Sequence, residues 1–326
     1  MAKPKVAFYW CASCGGCEET VVDLNEDLLK VADAVDIVLW PVALDFKRKD
    51  IEAKKDGEIA VSFINGAVRL GEQEEMVKLL RKKSGLVVAF GACAHLGGIP
   101  GLGNFCDRES IFNRVYKEVP TVDNPKGTFP QQKTKVKEGE LTLPEFYNTV
   151  KTLDQTIDVD YYLPGCPPAP DLIMAAVTAI LKGELPDKGA VLAPNKALCD
   201  TCPRAESKPD KLAISEVKRP WQIKMDPELC FLAQGIICMG PATRTGCGET
   251  CIKANQPCRG CFGPLDGVVD QGAKALSMVA SILGLDGEKD MSEEEVKKLI
   301  DSIADPAGTV YRFGLASSLL RRKRME

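Results

Sequence analysis

Eight of the chain's 14 cysteines fall between Cys199 and Cys261, and this crowding constrains the fold more than any other feature. The stretch is rich in Pro and Gly and has little periodicity. Such a segment is not expected to build an ordinary apolar core, so bound metal is expected to organise it. Disulfides are the other use for so many thiols. The chain opens Met-Ala-Lys-Pro and runs directly into Lys5–Trp10, with no apolar signal core and no twin-arginine leader. A cytoplasmic location is expected on that ground. That compartment keeps thiols reduced, which leaves metal or cluster ligation as their expected role.

Residues 1–190 alternate short apolar runs with helical patterns, the signature of a parallel sheet with crossover helices. Strands are predicted at Lys5–Trp10, Val35–Trp40, Ile59–Ile64, Gly85–Gly91 and Asp158–Leu163. Helices are predicted at Glu18–Ala34, Gln73–Lys83 and Asp171–Leu181. The rhythm predicts an α/β domain on a flavodoxin-like parallel sheet. Such sheets bind ligands beyond the carboxyl ends of their strands. Cys11, Cys14 and Cys17 follow the first strand, Cys93 the fourth and Cys166 the fifth. Residues far apart in sequence are thus expected to meet on one rim.

Residues 191–265 are read as a cysteine-rich, cluster-organised domain, and 266–326 as a helical C-terminal extension. Its helices are expected at Val268–Leu283, Ser292–Ala304 and Tyr311–Arg324. The polar stretch Pro120–Pro144 is read as a long surface loop at a partner interface. A net charge of −4 points to no nucleic-acid partner. The short run Arg321, Arg322, Lys323, Arg324 reads as a solvated helix end. No stretch is long and apolar enough to span a bilayer directly.

Cys14-Gly-Gly-Cys17 sits in a glycine turn at the start of a helix. Small residues let backbone approach a cluster, and a helix N-terminus favours its negative charge. Gly91-Ala-Cys93 and Pro164-Gly-Cys166-Pro-Pro168 are turns as well. Iron–sulfur cubanes take four thiolates each. The later group, Cys199, Cys202, Cys230, Cys238, Cys247, Cys251, Cys258 and Cys261, holds enough for two. Structural zinc is the competing interpretation, because paired C-x-x-C units also make tetrahedral zinc sites. The chain would then be a zinc-stabilised, non-catalytic scaffold.

These motifs, in this order, resemble those of nickel–iron hydrogenase small subunits. The family's C-x-G-C-x-E is matched by Cys14-Gly-Gly-Cys17-Glu-Glu19. Its G-x-C-A-x-x-G-G-I is matched by Gly91–Ile99, and its P-G-C-P-P by Pro164–Pro168. Its C-x-G-P-x-T and later P-C-x-G-C are matched by Cys238–Thr243, followed by Cys247, and by Pro257–Cys261. The resemblance implies three clusters in a line, all 4Fe–4S here. The proximal one would sit on Cys14, Cys17, Cys93 and Cys166, and the medial one on Cys247, Cys251, Cys258 and Cys261. The distal one would sit on Cys199, Cys202, Cys230 and Cys238. The iron is held through these cysteines, with no nickel site and no catalytic residue on this chain.

Two departures from the family pattern matter. Many members use His-x-x-Cys at the distal cluster, where this chain has Cys199 and Cys202. Many also lack a fourth medial thiolate, the position Cys251 would fill. The only histidine, His95, lies in the proximal motif and is read as structural or as a neighbour of the cluster. Cys11 and Cys106 are read as buried thiols. Gly16 occupies the slot where oxygen-tolerant members carry an extra cysteine. Within the family the chain most resembles the cytoplasmic, methyl-viologen-reducing subunits associated with heterodisulfide reductase.

The resemblance implies a large-subunit partner that splits hydrogen at nickel and iron, and a downstream iron–sulfur or flavin acceptor subunit, such as a heterodisulfide reductase complex. Glu18 and Glu19, beside Cys17, are candidates for moving protons near the interface, or simply helix N-terminal carboxylates. A quinone-reductase-type single-cluster subunit is the remaining alternative. The eight-cysteine tail and the lack of adjacent cysteines argue against it.

Overall fold

The structure is a computed structural model that describes residues 3–283 and 292–322. Its centre is a five-stranded sheet of β1 (Lys5–Trp10), β2 (Asp36–Leu39), β3 (Ile59–Asn65), β4 (Ser84–Phe90) and β5 (Tyr161–Leu163). The order is β2-β1-β3-β4-β5 with every neighbour parallel, the flavodoxin-like arrangement. Its strands are apolar runs because helices cover both faces. Val6, Phe8, Val61, Phe63, Val88 and Phe90 face one layer. That layer holds α1 (Gly16–Val22), α2 (Asp27–Ala34) and, after the sheet, Pro170–Lys182. Ala7, Ile64, Val87 and Ala89 face the other, packed by Met76, Val77 and Leu80 of α3 (Gly71–Lys83).

The predicted helix Glu18–Ala34 is two helices. The chain turns between them, with Asn25 at φ 51°. The predicted loop Pro120–Pro144 contains an antiparallel hairpin, Lys133–Val136 against Gly139–Thr142, whose residues are all exposed. Alternation in so polar a stretch leaves no hydrophobic signal to read.

Residues 191–265 form short 3-10 turns and one α-helix, Thr250–Lys253. Contrary to expectation, the segment does gather an apolar cluster. Leu198, Phe231, Leu232, Ile236, Met239 and Ile252 pack with Ala275 and Ile282 of the helix Gln271–Ile282. Cys238 and Cys258 belong to the same cluster. The helix predicted over Ser292–Ala304 is present as Glu293–Asp301, capped by Ser292.

Tyr311–Arg324 is not helical through residue 322. A short helix, Pro306–Val310, is followed by turns. Tyr311, Phe313, Leu315 and Ala316 are buried there, spaced too closely for one helix face. The segment folds back on the sheet domain. The Gly98 amide donates to the Phe313 carbonyl at 2.9 Å, and Gln155 Nε2 to the Ala316 carbonyl at 2.8 Å. Arg322 donates to the Asn148 carbonyl at 3.1 Å and to Thr149 Oγ1, so it is not a solvated helix end. Lys323 and Arg324 lie outside the described residues. Among the described residues no helix is long and apolar enough to cross a membrane.

Candidate functional site

The carboxyl rim of the sheet gathers Cys14, Cys17, Cys93 and Cys166. Backbone bonds stitch their turns together. The Gly91 amide donates to the Leu163 carbonyl at 2.8 Å, and the Ala92 amide to the Gly165 carbonyl at 2.6 Å. Thr20 Oγ1 donates to the Pro168 carbonyl at 3.0 Å, tying α1 to the Cys166 loop, whose Cys166–Pro167 bond is cis. Gly91 has φ 86°, and a Cβ there would collide with the Cys17 sulfur. Gly98, at φ 57°, makes the same close approach to the Cys93 sulfur. Only glycine gives the backbone both that conformation and that proximity.

Burial pushes the Cys17 and Cys93 thiols up, Cys93 to about 12, and the charges of their neighbours in the set push the same way. Cys14 is exposed, so this set opens to the outside. Glu18 is buried beneath it, and both Trp40 Nε1 and Asn65 Nδ2 donate to its carboxylate. Burial raises its pKa, with the two hydrogen bonds pulling the other way. Asn65 Oδ1 in turn accepts from Ser13 Oγ at 2.9 Å. Glu18 thus braces the turn from below, while Glu19 points to solvent.

A second set lines one cavity of about 400 Å³: Cys247, Cys251, Cys258 and Cys261, with Cys166 of the first set at its wall. Cys261 is pushed up to about 12 by burial and then by the charges of Cys166, Cys247 and Cys251. Gln271, itself buried, holds this loop by donating to the Gly260 carbonyl at 3.0 Å and the Ala242 carbonyl at 3.2 Å.

The third set, Cys199, Cys202, Cys230 and Cys238, lines a smaller apolar recess with Phe231, Leu232 and Ile252. Cys199 is pushed up to about 12 by burial, then by Cys238, Cys202 and Cys230. Arg204 assembles the loops around it. The guanidinium donates to the carbonyls of Asp226 at 3.1 Å and Leu229 at 3.0 Å and to Asn255 Oδ1 at 2.8 Å, and lies 4.1 Å from the Phe231 ring centroid.

The three sets abut one another. Cys166 and Cys261 link the first to the second. The Cys258 amide donates to the Cys238 sulfur at 3.3 Å, linking the second to the third. Cys11 is buried in the core opposite α1, whereas Cys106, expected to be buried as well, is exposed; neither joins a set. His95 packs against Tyr162, with ring centroids 4.6 Å apart and planes tilted by 39°, and burial lowers its pKa to about 4. Sequence reasoning missed Arg204 and Gln271. Their only signal was a polar side chain close to a cysteine motif.

The donor chemistry fits iron–sulfur clusters. Buried neutral thiols with raised pKa values give up their protons when iron binds them, and in the second and third sets four sulfurs line a space that suits a cubane.

Residues 14–180 match the family described as NADH ubiquinone oxidoreductase, 20 Kd subunit. The chain is 40% identical over 324 residues, 98% of each chain, to the iron-sulfur subunit of an F420-non-reducing hydrogenase from Archaeoglobus profundus. It is 37% identical to a subunit of the F420-non-reducing hydrogenase from Methanothermobacter marburgensis, covering 98% of this chain and 97% of that one. The fold is shared with a solved [NiFeSe] hydrogenase chain from Desulfovibrio vulgaris Hildenborough. The TM-score is 0.51 at 18% identity, covering 81% of this chain and 94% of that one.

Proposed function

The chain belongs to the nickel–iron hydrogenase small-subunit family, and from that membership we propose that it relays electrons through three 4Fe–4S clusters. It is a subunit of an oxidoreductase complex whose hydrogen chemistry resides on a partner chain. The proximal cluster is assigned to Cys14, Cys17, Cys93 and Cys166. The medial one is assigned to Cys247, Cys251, Cys258 and Cys261, and the distal one to Cys199, Cys202, Cys230 and Cys238. The observation that carries this reading is the continuity of the three thiol sets through Cys166–Cys261 and Cys258–Cys238.

Bound clusters supply one-electron storage at each set. The chain's own residues fix the rest. Exposed Cys14 turns the first set toward a large subunit. Glycines at 91 and 98 bring backbone against two of its sulfurs. Arg204 and Phe231 close the third set from solvent. A downstream iron–sulfur or flavin subunit, such as a heterodisulfide reductase complex, is the acceptor that this reading assigns, in the cytoplasm. The three domains at 1–190, 191–265 and 266–326 carry, in turn, the proximal set, the medial and distal sets, and a C-terminal extension.

Anaerobic copurification with associated chains, followed by iron and acid-labile sulfide analysis, tests the proposal. About twelve irons per chain are expected, four per cubane. A colourless preparation, or zinc with little sulfide, overturns it.

A further inference from the structure

Three arginines crowd the boundary between the second and third cysteine sets. Arg259 lies inside the Cys258–Cys261 loop and lines the cavity of the second set. Cys251 of that set and Cys238 of the third are both within electrostatic reach of its guanidinium, as are Arg312 and Arg219. Arg219 shares a second crevice with Arg259 and donates to the Ala304 carbonyl. Arg312 has a buried Nε with no hydrogen-bond partner.

Among the described residues, none of the three forms an ion pair with a carboxylate. Other cations in this part of the chain do. Arg244 pairs with Asp266, and Lys253 with Glu249 at 3.6 Å. The acids on the cavity wall are Asp23 and Glu249, and Glu249 also accepts from Thr201 Oγ1 at 2.6 Å. Half-buried like charges without counterions are costly, so an anion is expected opposite them. Burial, with Arg312 and Arg219, holds the Arg259 pKa below its ordinary value, and the thiolates oppose this. Arginine nevertheless remains a fixed positive charge at any working pH.

We propose that Arg259, backed by Arg312 and Arg219, is the built-in countercharge of the medial and distal clusters and raises their reduction potentials. The inference rests on the cluster assignment above. A four-thiolate cubane is an anion, and each electron that arrives from hydrogen oxidation on the partner adds one negative charge, with no bond made and no proton needed. A nearby fixed cation favours that added charge, more so where water is excluded.

The test is an EPR-monitored redox titration of the anaerobically purified complex carrying Arg259→Gln or Arg259→Lys. In R259Q, the ratio of reduced to oxidised medial cluster at fixed potential is expected to fall about tenfold, a one-electron midpoint shift of ~59 mV to the negative. R259K, which keeps the charge, is expected to stay within about twofold of the wild-type ratio. Unchanged midpoints in R259Q at full cluster content overturn the proposal. So does an equal shift in R259K, because packing would then be the cause. If iron analysis shows R259Q lacking its medial cluster, Arg312→Gln decides: a smaller negative shift supports the proposal and none overturns it. Absence of iron from the wild-type chain would instead sink the cluster assignment itself.

Discussion

The amide of Cys258 donates to the sulfur of Cys238 at 3.3 Å, so one thiol set hydrogen-bonds a ligand of the next. Hydrogen bonds to cluster sulfurs tune reduction potential. Cys238→Ala and Cys199→Ala each remove one distal ligand, but only the first removes the acceptor of this bond. Both are expected to lose the distal signal and about four of about twelve irons. Only C238A is expected also to alter the medial EPR signal. Identical medial spectra in the two variants would show that the bond transmits nothing.

Gly91 is held at φ 86°, and an added Cβ would strike the Cys17 sulfur. Gly91→Ala therefore combines backbone strain with displacement of a ligand. It is expected to cost about 1–3 kcal/mol and to empty the proximal set. Gly71→Ala is the matched control. It opens helix α3, has no positive φ, and its Cβ would meet only ordinary contacts, the nearest 3.6 Å away. Iron content and thermal midpoints of the two variants check this. A G91A chain with full iron would refute the tight-approach argument.

Asp160 receives Arg81 at 2.5 Å, Lys188 at 2.7 Å and the Val87 amide at 2.8 Å. Burial pushes its pKa up, but these three bonds outweigh it and hold the carboxyl below its ordinary 3.8. A depressed carboxylate stabilises the fold above its unfolded pKa, and that stability is lost as pH falls through the folded value. Asp160→Asn is expected to cost about 2 kcal/mol at pH 7, less than for a fully buried pair because Lys188 is 66% exposed. The gap between wild type and D160N should shrink once pH drops below 3.8. Urea midpoints compared pairwise at each pH would show it, and a constant gap would exclude the linkage.

The sheet was legible because each strand is a short apolar run bounded by turn residues, and the turns after β1, β4 and β5 carry cysteines. Once the strand order is known, Cys14, Cys93 and Cys166 must lie on one rim. What was hidden has no period. Asn25 breaks one amphipathic pattern into two helices through a local backbone choice. The 311–322 segment has helical composition, yet it buries Tyr311, Phe313 and Leu315 against elements far away in sequence. Arg204, Gln271 and Arg259 are isolated polar residues beside cysteine motifs, with no pattern of their own. Only the tertiary structure brings Arg204 to the two segments 226–229 and 252–255, or Arg259 to Arg312.

Cys251 is the exposed member of the medial set, whereas Cys258 is buried in the apolar cluster around it. The two should respond differently to loss of sulfur. At an exposed position, substitution itself costs little, within about 0.5 kcal/mol. Cys251→Ser is therefore expected to leave the chain folded and to remove about one iron of about twelve, converting the medial centre to a three-iron form with its own EPR signal. Cys258→Ser also disturbs a packed core, so loss of the whole medial centre and a lower thermal midpoint are expected. Iron analysis beside EPR separates the two cases. Full iron and an unchanged medial spectrum in C251S would mean that the fourth medial ligand is some other group.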